Sequence, residues 1–212
     1  MPQGNWVLSN GNTMVTQTLN CDPTMYLSPN NLTNFTMSGT WRVYSVDDDM
    51  IGIVFGYQDP SHFYVMDWKQ NYQSQAGWGI AYEGFAIRKI SAPSVNDFDR
   101  YDFWDYRGTT NTEILASYFD TSSGWVINTL YDFHLEFTPG LFTIIVSEGG
   151  TELWNVTVND NSYTNGKFGL YNLSQDLVEY ANIDVVPIPS TLLLLGSGIA
   201  GLIGINRKRK KI

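Results

Sequence analysis

The stretch Tyr131-Asp132-Phe133-His134-Leu135-Glu136-Phe137 alternates an apolar with a polar side chain at every step. Successive side chains of a strand point to opposite faces, so Tyr131, Phe133, Leu135 and Phe137 share one face and Asp132, His134 and Glu136 the other. That pattern specifies a half-buried strand of an antiparallel sheet. Pro139-Gly140 supplies turn chemistry immediately after it, and the β-branched and aromatic run Leu141 to Ser147 supplies the next strand. Similar runs occur at Ile51–Gln58, Phe63–Trp68, Gly79–Tyr82, Phe85–Ile90, Trp125–Asn128, Leu153–Val158 and Phe168–Tyr171, separated by Gly, Asn, Asp and Pro. No convincing helix precedes Ser190. Many short strands between turn signals predict an all-β antiparallel sandwich. The triplet Asp132, His134 and Glu136, spaced about 7 Å apart along a strand, has the residue types of a metal or acid–base site, but it reads as the solvated outer face of a half-buried strand.

With 212 residues, 43% of them apolar and 15% aromatic, the chain can bury one ordinary core. Its net charge of −9 conceals an asymmetry, because Arg207, Lys208, Arg209, Lys210 and Lys211 are five of its twelve basic residues. The remaining body sets seven basic against 21 acidic residues, a balance of −14 that excludes nucleic acid as a partner. Cys21 is the only cysteine, which excludes an internal disulfide and thiolate metal clusters. Thr18-Leu19-Asn20-Cys21 lacks the apolar run of a lipoprotein site, leaving a plain core or rim thiol.

Ser190 to Ile205 carries no charge and is dominated by Leu, Gly and Ile. As a helix it spans about 24 Å, short of the ~30 Å hydrocarbon core, so it crosses a membrane only with local thinning or help from its flanks. The cations Arg207 to Lys211 place its end in the cytoplasm and the body outside. Val186-Pro187-Ile188-Pro189, the apolar run and the basic end together resemble a PEP-CTERM sorting signal. The resemblance implies a membrane intermediate held by residues 190–205, an exosortase that cuts near the proline motif, and release to the surface or matrix. Ile188 stands where that family usually has Glu. Gly196, Ala200 and Gly204 form a small-residue stripe of the kind that pairs helices, although glycine is common in such tails. The N-terminus, MPQGNWVLSNGNTM, has neither the charged nor the apolar region of a signal peptide, so the expectation is a start missing upstream.

A second resemblance covers the body. Asp47-Asp48-Asp49, Gly52, Phe55-Gly56-Tyr57-Gln58, His62-Phe63-Tyr64-Val65 and Trp68-Lys69-Gln70 resemble the thrombospondin C-terminal domain. Asn5-Trp6-Val7, Asp22-Pro23, Asp120, Gly124-Trp125 and Gly166 to Tyr171 follow in family order, with the weakest likeness over Ser91 to Thr112. The resemblance implies a concanavalin A-like jelly roll over residues 1–185, extracellular, calcium-binding and adhesive, followed by the sorting tail over residues 186–212. Asp67 departs from the apolar residue usual at its place.

Calcium wants six to eight oxygens, and Asp47, Asp48 and Asp49 offer three carboxylates at one turn. Asp48 points away from the other two unless the turn bends, so Asp120 is a candidate fourth ligand; a solvated acidic turn is the alternative. Tyr101, Trp104 and Tyr106, within the segment YDFWDYR, are candidates for a ligand-facing rim, against burial of Phe103 and Trp104. A glycoside hydrolase on the same sandwich is the enzyme alternative, but no strand carries closely spaced glutamates of the E-x-D-x-E kind. With only His62 and His134 available, Ser-His-Asp chemistry is no better supported. The sequence therefore predicts an exported, non-catalytic, calcium-linked module with an extracellular polysaccharide or surface protein as ligand.

Overall fold

A computed structural model describes residues 4–189. The chain runs through β1 (Trp6–Ser9), β2 (Met14–Gln17), β3 (Thr24–Leu27), β4 (Phe35–Val43), β5 (Met50–Asp59), β6 (His62–Lys69), β7 (Gln73–Gln75), β8 (Gly79–Ala81) and β9 (Gly84–Ser91). A short helix, α1 (Arg100–Trp104), then leads to β10 (Thr112–Phe119), β11 (Tyr131–Thr138), β12 (Leu141–Glu148), β13 (Thr151–Asn159), β14 (Lys167–Leu173) and β15 (Val178–Pro187). Seven strands form one sheet in the order β1-β2-β15-β4-β11-β12-β13, and six form the other in the order β10-β9-β6-β5-β14-β3. Strands β7 and β8 pair by themselves. Every one of these pairings is antiparallel.

The opening heptapeptide lies in β11 with the expected faces: Tyr131, Phe133, Leu135 and Phe137 are buried, and Asp132 and Glu136 are exposed. Gly140 takes φ +79° in the turn to β12, a left-handed conformation that glycine enters without a Cβ clash. Between the sheets the core is strongly aromatic. Trp41 stacks on Phe133 with centroids 4.7 Å apart, and Phe85 lies between Trp68 at 4.2 Å and Trp154 at 4.7 Å. A second apolar cluster covers the other face of the six-stranded sheet, where Val54, Phe63, Val65 and Ala86 meet Phe103, Trp104 and Tyr106.

Two local expectations are corrected. A helix does form before Ser190, because Asp99 accepts from the Asp102 backbone amide while the Asp102 side chain accepts from that of Asp99, capping α1 reciprocally. Trp125–Asn128 is not a strand: Asn128 adopts φ +63°, which breaks the extension, and the indole of Trp125 is buried against the acidic turn. Among the described residues no helix is long and apolar enough to cross a membrane. The candidate span 190–205 and Arg207 lie outside the described residues.

Candidate functional site: the acidic turn and its surroundings

The turn between β4 and β5 bends enough to bring all three carboxylates together. One oxygen from each of Asp47, Asp48 and Asp49 lies within 4.8 Å of the others. Local hydrogen bonds make the bend: the Asp47 amide donates to Ser45 Oγ at 3.1 Å, and the Asp48 amide to Asp47 Oδ1 at 3.1 Å. More distant segments pin its end. Gln175 Oε1 accepts from the Asp49 amide at 2.8 Å, and Trp125 Nε1 donates to the Asp49 carbonyl at 3.1 Å.

Lys69, the last residue of β6, enters the same locus from below and is fully buried. Its ammonium donates to Asp49 Oδ1 at 2.8 Å, to the Asp48 carbonyl at 2.9 Å and to Asp48 Oδ1 at 3.4 Å, and it lies 5.1 Å from the centre of the Trp104 ring. A buried ammonium needs such partners. Three ionised carboxylates against one ammonium leave two negative charges, the complement of one divalent cation. Asn20 Nδ2 hydrogen-bonds Asp47 on the outer side. Burial, and then the Asp49 carboxylate beside it, push the Asp47 carboxyl above its ordinary value. The donor set therefore fits a hard cation, which Asp47, Asp48 and Asp49 would hold through one carboxylate oxygen each.

The structure does not bring Asp120 into this group. Asp120 sits in the loop after β10, where Ser123 closes a tight turn on it, and it lines a separate cavity with Tyr118 and Glu148. The rim expectation is also corrected. Trp104 and Tyr106 are 3% and 2% exposed, because α1 folds its aromatics onto the apolar face of the six-stranded sheet. Burying such rings removes 150–250 Å² each from water, which outweighs leaving them free for a ligand. Tyr101 alone stays partly exposed, lining a shallow depression with Gln75 and Arg107.

Val186 and Pro187 belong to β15, paired with Thr36 and Phe35, and the Ile188 amide still donates to the Asn34 carbonyl at 2.9 Å. The sandwich thus continues to Pro187, two residues beyond the expected boundary, and Pro189 lies one residue past Ile188. Strand β2 pairs with β15 only over Val178–Ala181, so Pro187 lies where a missing N–H costs no second ladder bond.

The histidines do not assemble a catalytic chain. His62 Nδ1 meets Asp59 at 3.0 Å on the surface, and His134 Nδ1 meets Ser38 Oγ at 2.8 Å on the outer face of the seven-stranded sheet. Sequence reasoning missed a cleft of about 530 Å3 between the sheet edges, walled by Val15, Leu27, Met37, Phe168 and Ile183. It is built from five segments distant in sequence, so no local pattern announces it.

Residues 1–187 match the family model for the thrombospondin C-terminal region. The chain is 30% identical over 191 residues to thrombospondin-1 of Xenopus laevis and 30% identical over 189 residues to thrombospondin-2 of Homo sapiens, using 84% of its own length in each case. It spans only 16% of the length of these relatives. Among solved structures it is similar to the VIP36 exoplasmic/lumenal domain in its Ca2+/Man3GlcNAc-bound form, with TM-score 0.58 and 13% identity over 88% of this chain and 83% of that one. It is likewise similar to the carbohydrate-binding module CBM66 from Bacillus subtilis, with TM-score 0.57 and 13% identity over 86% of this chain and 91% of that one. Those two likenesses concern the lectin-like sandwich alone, whereas the family match runs to the end of β15, and by it this chain belongs to the thrombospondin C-terminal region family.

Proposed function

We propose that the chain is an exported, non-catalytic adhesion module that binds calcium at Asp47–Asp49 and takes an extracellular polysaccharide or surface protein as ligand. The observation that carries the calcium reading is the convergence of three carboxylates on a locus where Lys69 supplies the one countercharge. The solved relative bound to Ca2+ and a mannose-containing glycan supports it by pairing the same sandwich with both ligand types. Calcium supplies charge neutralisation and fixes the turn; the protein's part is to hold the carboxylates in place through Gln175, Trp125 and Lys69. Export and sorting by an exosortase are supported by the proline motif, the apolar run and the basic end.

Calcium that binds only the folded state stabilises it by about 2.7 kcal/mol at a hundredfold excess over Kd. Extracellular sites of this kind bind at roughly 10⁻⁴ to 10⁻³ M, so a melting titration must reach tens of millimolar. The melting temperature rises with calcium and less with magnesium, which demands tighter octahedral geometry. Asp47→Asn melts higher than wild type without calcium, since it relieves repulsion at a carboxyl already pushed upward, and loses the calcium response. A wild type indifferent to calcium, or an Asp47→Asn variant that responds as wild type does, removes the acidic turn as the site. Incubation with plant, algal and bacterial polysaccharides releases no reducing sugar above a heat-killed control; turnover abolished by replacing one carboxylate establishes the glycoside hydrolase instead.

A further inference from the structure

The cavity that holds Asp120 has chemistry of its own. It has a volume of about 280 Å3, below the range of about 300–1,000 Å3 typical of sites for drug-sized ligands, and so is sized for a single side chain. Its floor is aromatic, formed by Trp68 and Phe85, which are buried between the sheets. One part of its wall is apolar yet open to water, with Tyr118 48%, Val126 55% and Leu153 39% exposed, and the loop residues 121–124 make the rest polar. Two carboxylates, Asp120 from the loop after β10 and Glu148 from the end of β12, line the same space. Neither enters an ion pair among the described residues.

The loop carrying Asp120 is held in place before any ligand arrives. Glu83 accepts from the amides of Ser122 at 2.6 Å and Gly124 at 3.2 Å. Trp68 Nε1 donates to the Ser123 carbonyl at 2.7 Å, and Ser123 Oγ donates to the Asp120 carbonyl at 2.5 Å. Ser122 is kept at φ +80°, a left-handed conformation that costs a non-glycine residue energy and persists only where its surroundings enforce it. At Gly124 an added Cβ would lie 1.8 Å from the Gln70 carbonyl oxygen, so the loop lies directly against the end of β6. A rigid loop lowers the entropy cost of binding.

We propose that this cavity binds the lysine or arginine side chain of a partner protein. The aromatic floor with Val126 and Leu153 matches the aliphatic stem of such a side chain. Tyr118 offers a ring face to its cation, and Asp120 with Glu148 supply the unneutralised charge. A pyranose could use the same ring, but it would leave two carboxylates without countercharge, and charge complementarity favours the cation.

The proposal rests on the binding-module reading and names a ligand class for it, independently of calcium. The test is saturation-transfer NMR on the full chain, in detergent micelles and in EDTA, with acetyl-Gly-Arg-Gly-amide as probe and the citrulline peptide as its neutral isostere. The arginine peptide gives saturable transfer that is strongest on its side-chain methylenes. The citrulline peptide binds at least tenfold more weakly, and Asp120→Asn and Glu148→Gln each weaken the arginine peptide at least fivefold. Equal binding of the two peptides, or binding unaffected by the paired Asp120→Asn and Glu148→Gln replacements, overturns the proposal. Saturable transfer to methyl pyranosides alone overturns it in favour of a sugar subsite. Repeating the titration in calcium separates the two claims, because a failed peptide titration beside a calcium-dependent rise in melting temperature removes only the pocket.

Discussion

Asp160 shows how much one surface carboxylate can do when several donors converge on it. Burial pulls its carboxyl upward, but hydrogen bonds from the Tyr64 hydroxyl, the Ser162 backbone and Lys89 outweigh that and hold it down at about 2. A carboxyl depressed in the folded state contributes stability at every pH above its unfolded value, near 4, and loses it as pH falls toward 2. Asp160→Asn therefore destabilises at pH 7 and flattens the loss of stability between pH 4 and 2, readable as urea midpoints at successive pH values; parallel wild-type and variant curves would refute it. At this scale the sequence was legible where contacts are local. Asp47, Asp48 and Asp49 adjoin one another, so their run already announces an acidic locus. Their countercharge was not legible, because Lys69 reaches them from 20 residues away through the register of β5 and β6. Asp120 failed as a fourth ligand for the same reason: residue type says nothing about which loop faces which.

Strands were easier to read than the helix, since period-2 alternation over seven residues is a strong signal and five residues of α1 are too few for a period of 3.6. The segment around α1 caps the outer face of the six-stranded sheet. Arg88 fastens it: fully buried on β9, it pairs with the equally buried Asp67 on β6 and donates through Nη1 to the Phe103 carbonyl of α1 at 2.8 Å. This accounts for Asp67, the polar residue at a place where the family resemblance implies an apolar one. Removing one partner of a buried ion pair costs about 3–5 kcal/mol, whereas replacing both by apolar groups is often close to neutral. Asp67→Leu should thus lower the urea midpoint sharply, and Asp67→Leu with Arg88→Met should recover most of the loss, less the bond to Phe103. Additive losses in that double-mutant cycle would show that the pair is not coupled.

For the molecule as a whole, the location of the last strand decides how it can be cut. Since β15 extends through Pro187, ending the chain after Pro189 keeps the sandwich intact, whereas ending it before Val186 removes two paired residues. On the proposed role of the tail, the shorter deletion in a secreted form of the chain should move it from the membrane fraction into the medium without lowering its melting temperature; unchanged membrane retention would refute that role. The sandwich class was legible because turn residues punctuate so many short runs, while the strand order was not, since it depends on pairings such as β15 with β2 across more than 160 residues. That order has a mechanical consequence. Strand β15 is not at a sheet edge but inserted between β2 and β4, and ladder bonds run perpendicular to the strands. Tension applied at Pro189 along β15 loads its bonds to β4 side by side, in shear, instead of peeling them open one after another, so a pull from this end is shared by the whole β4–β15 ladder.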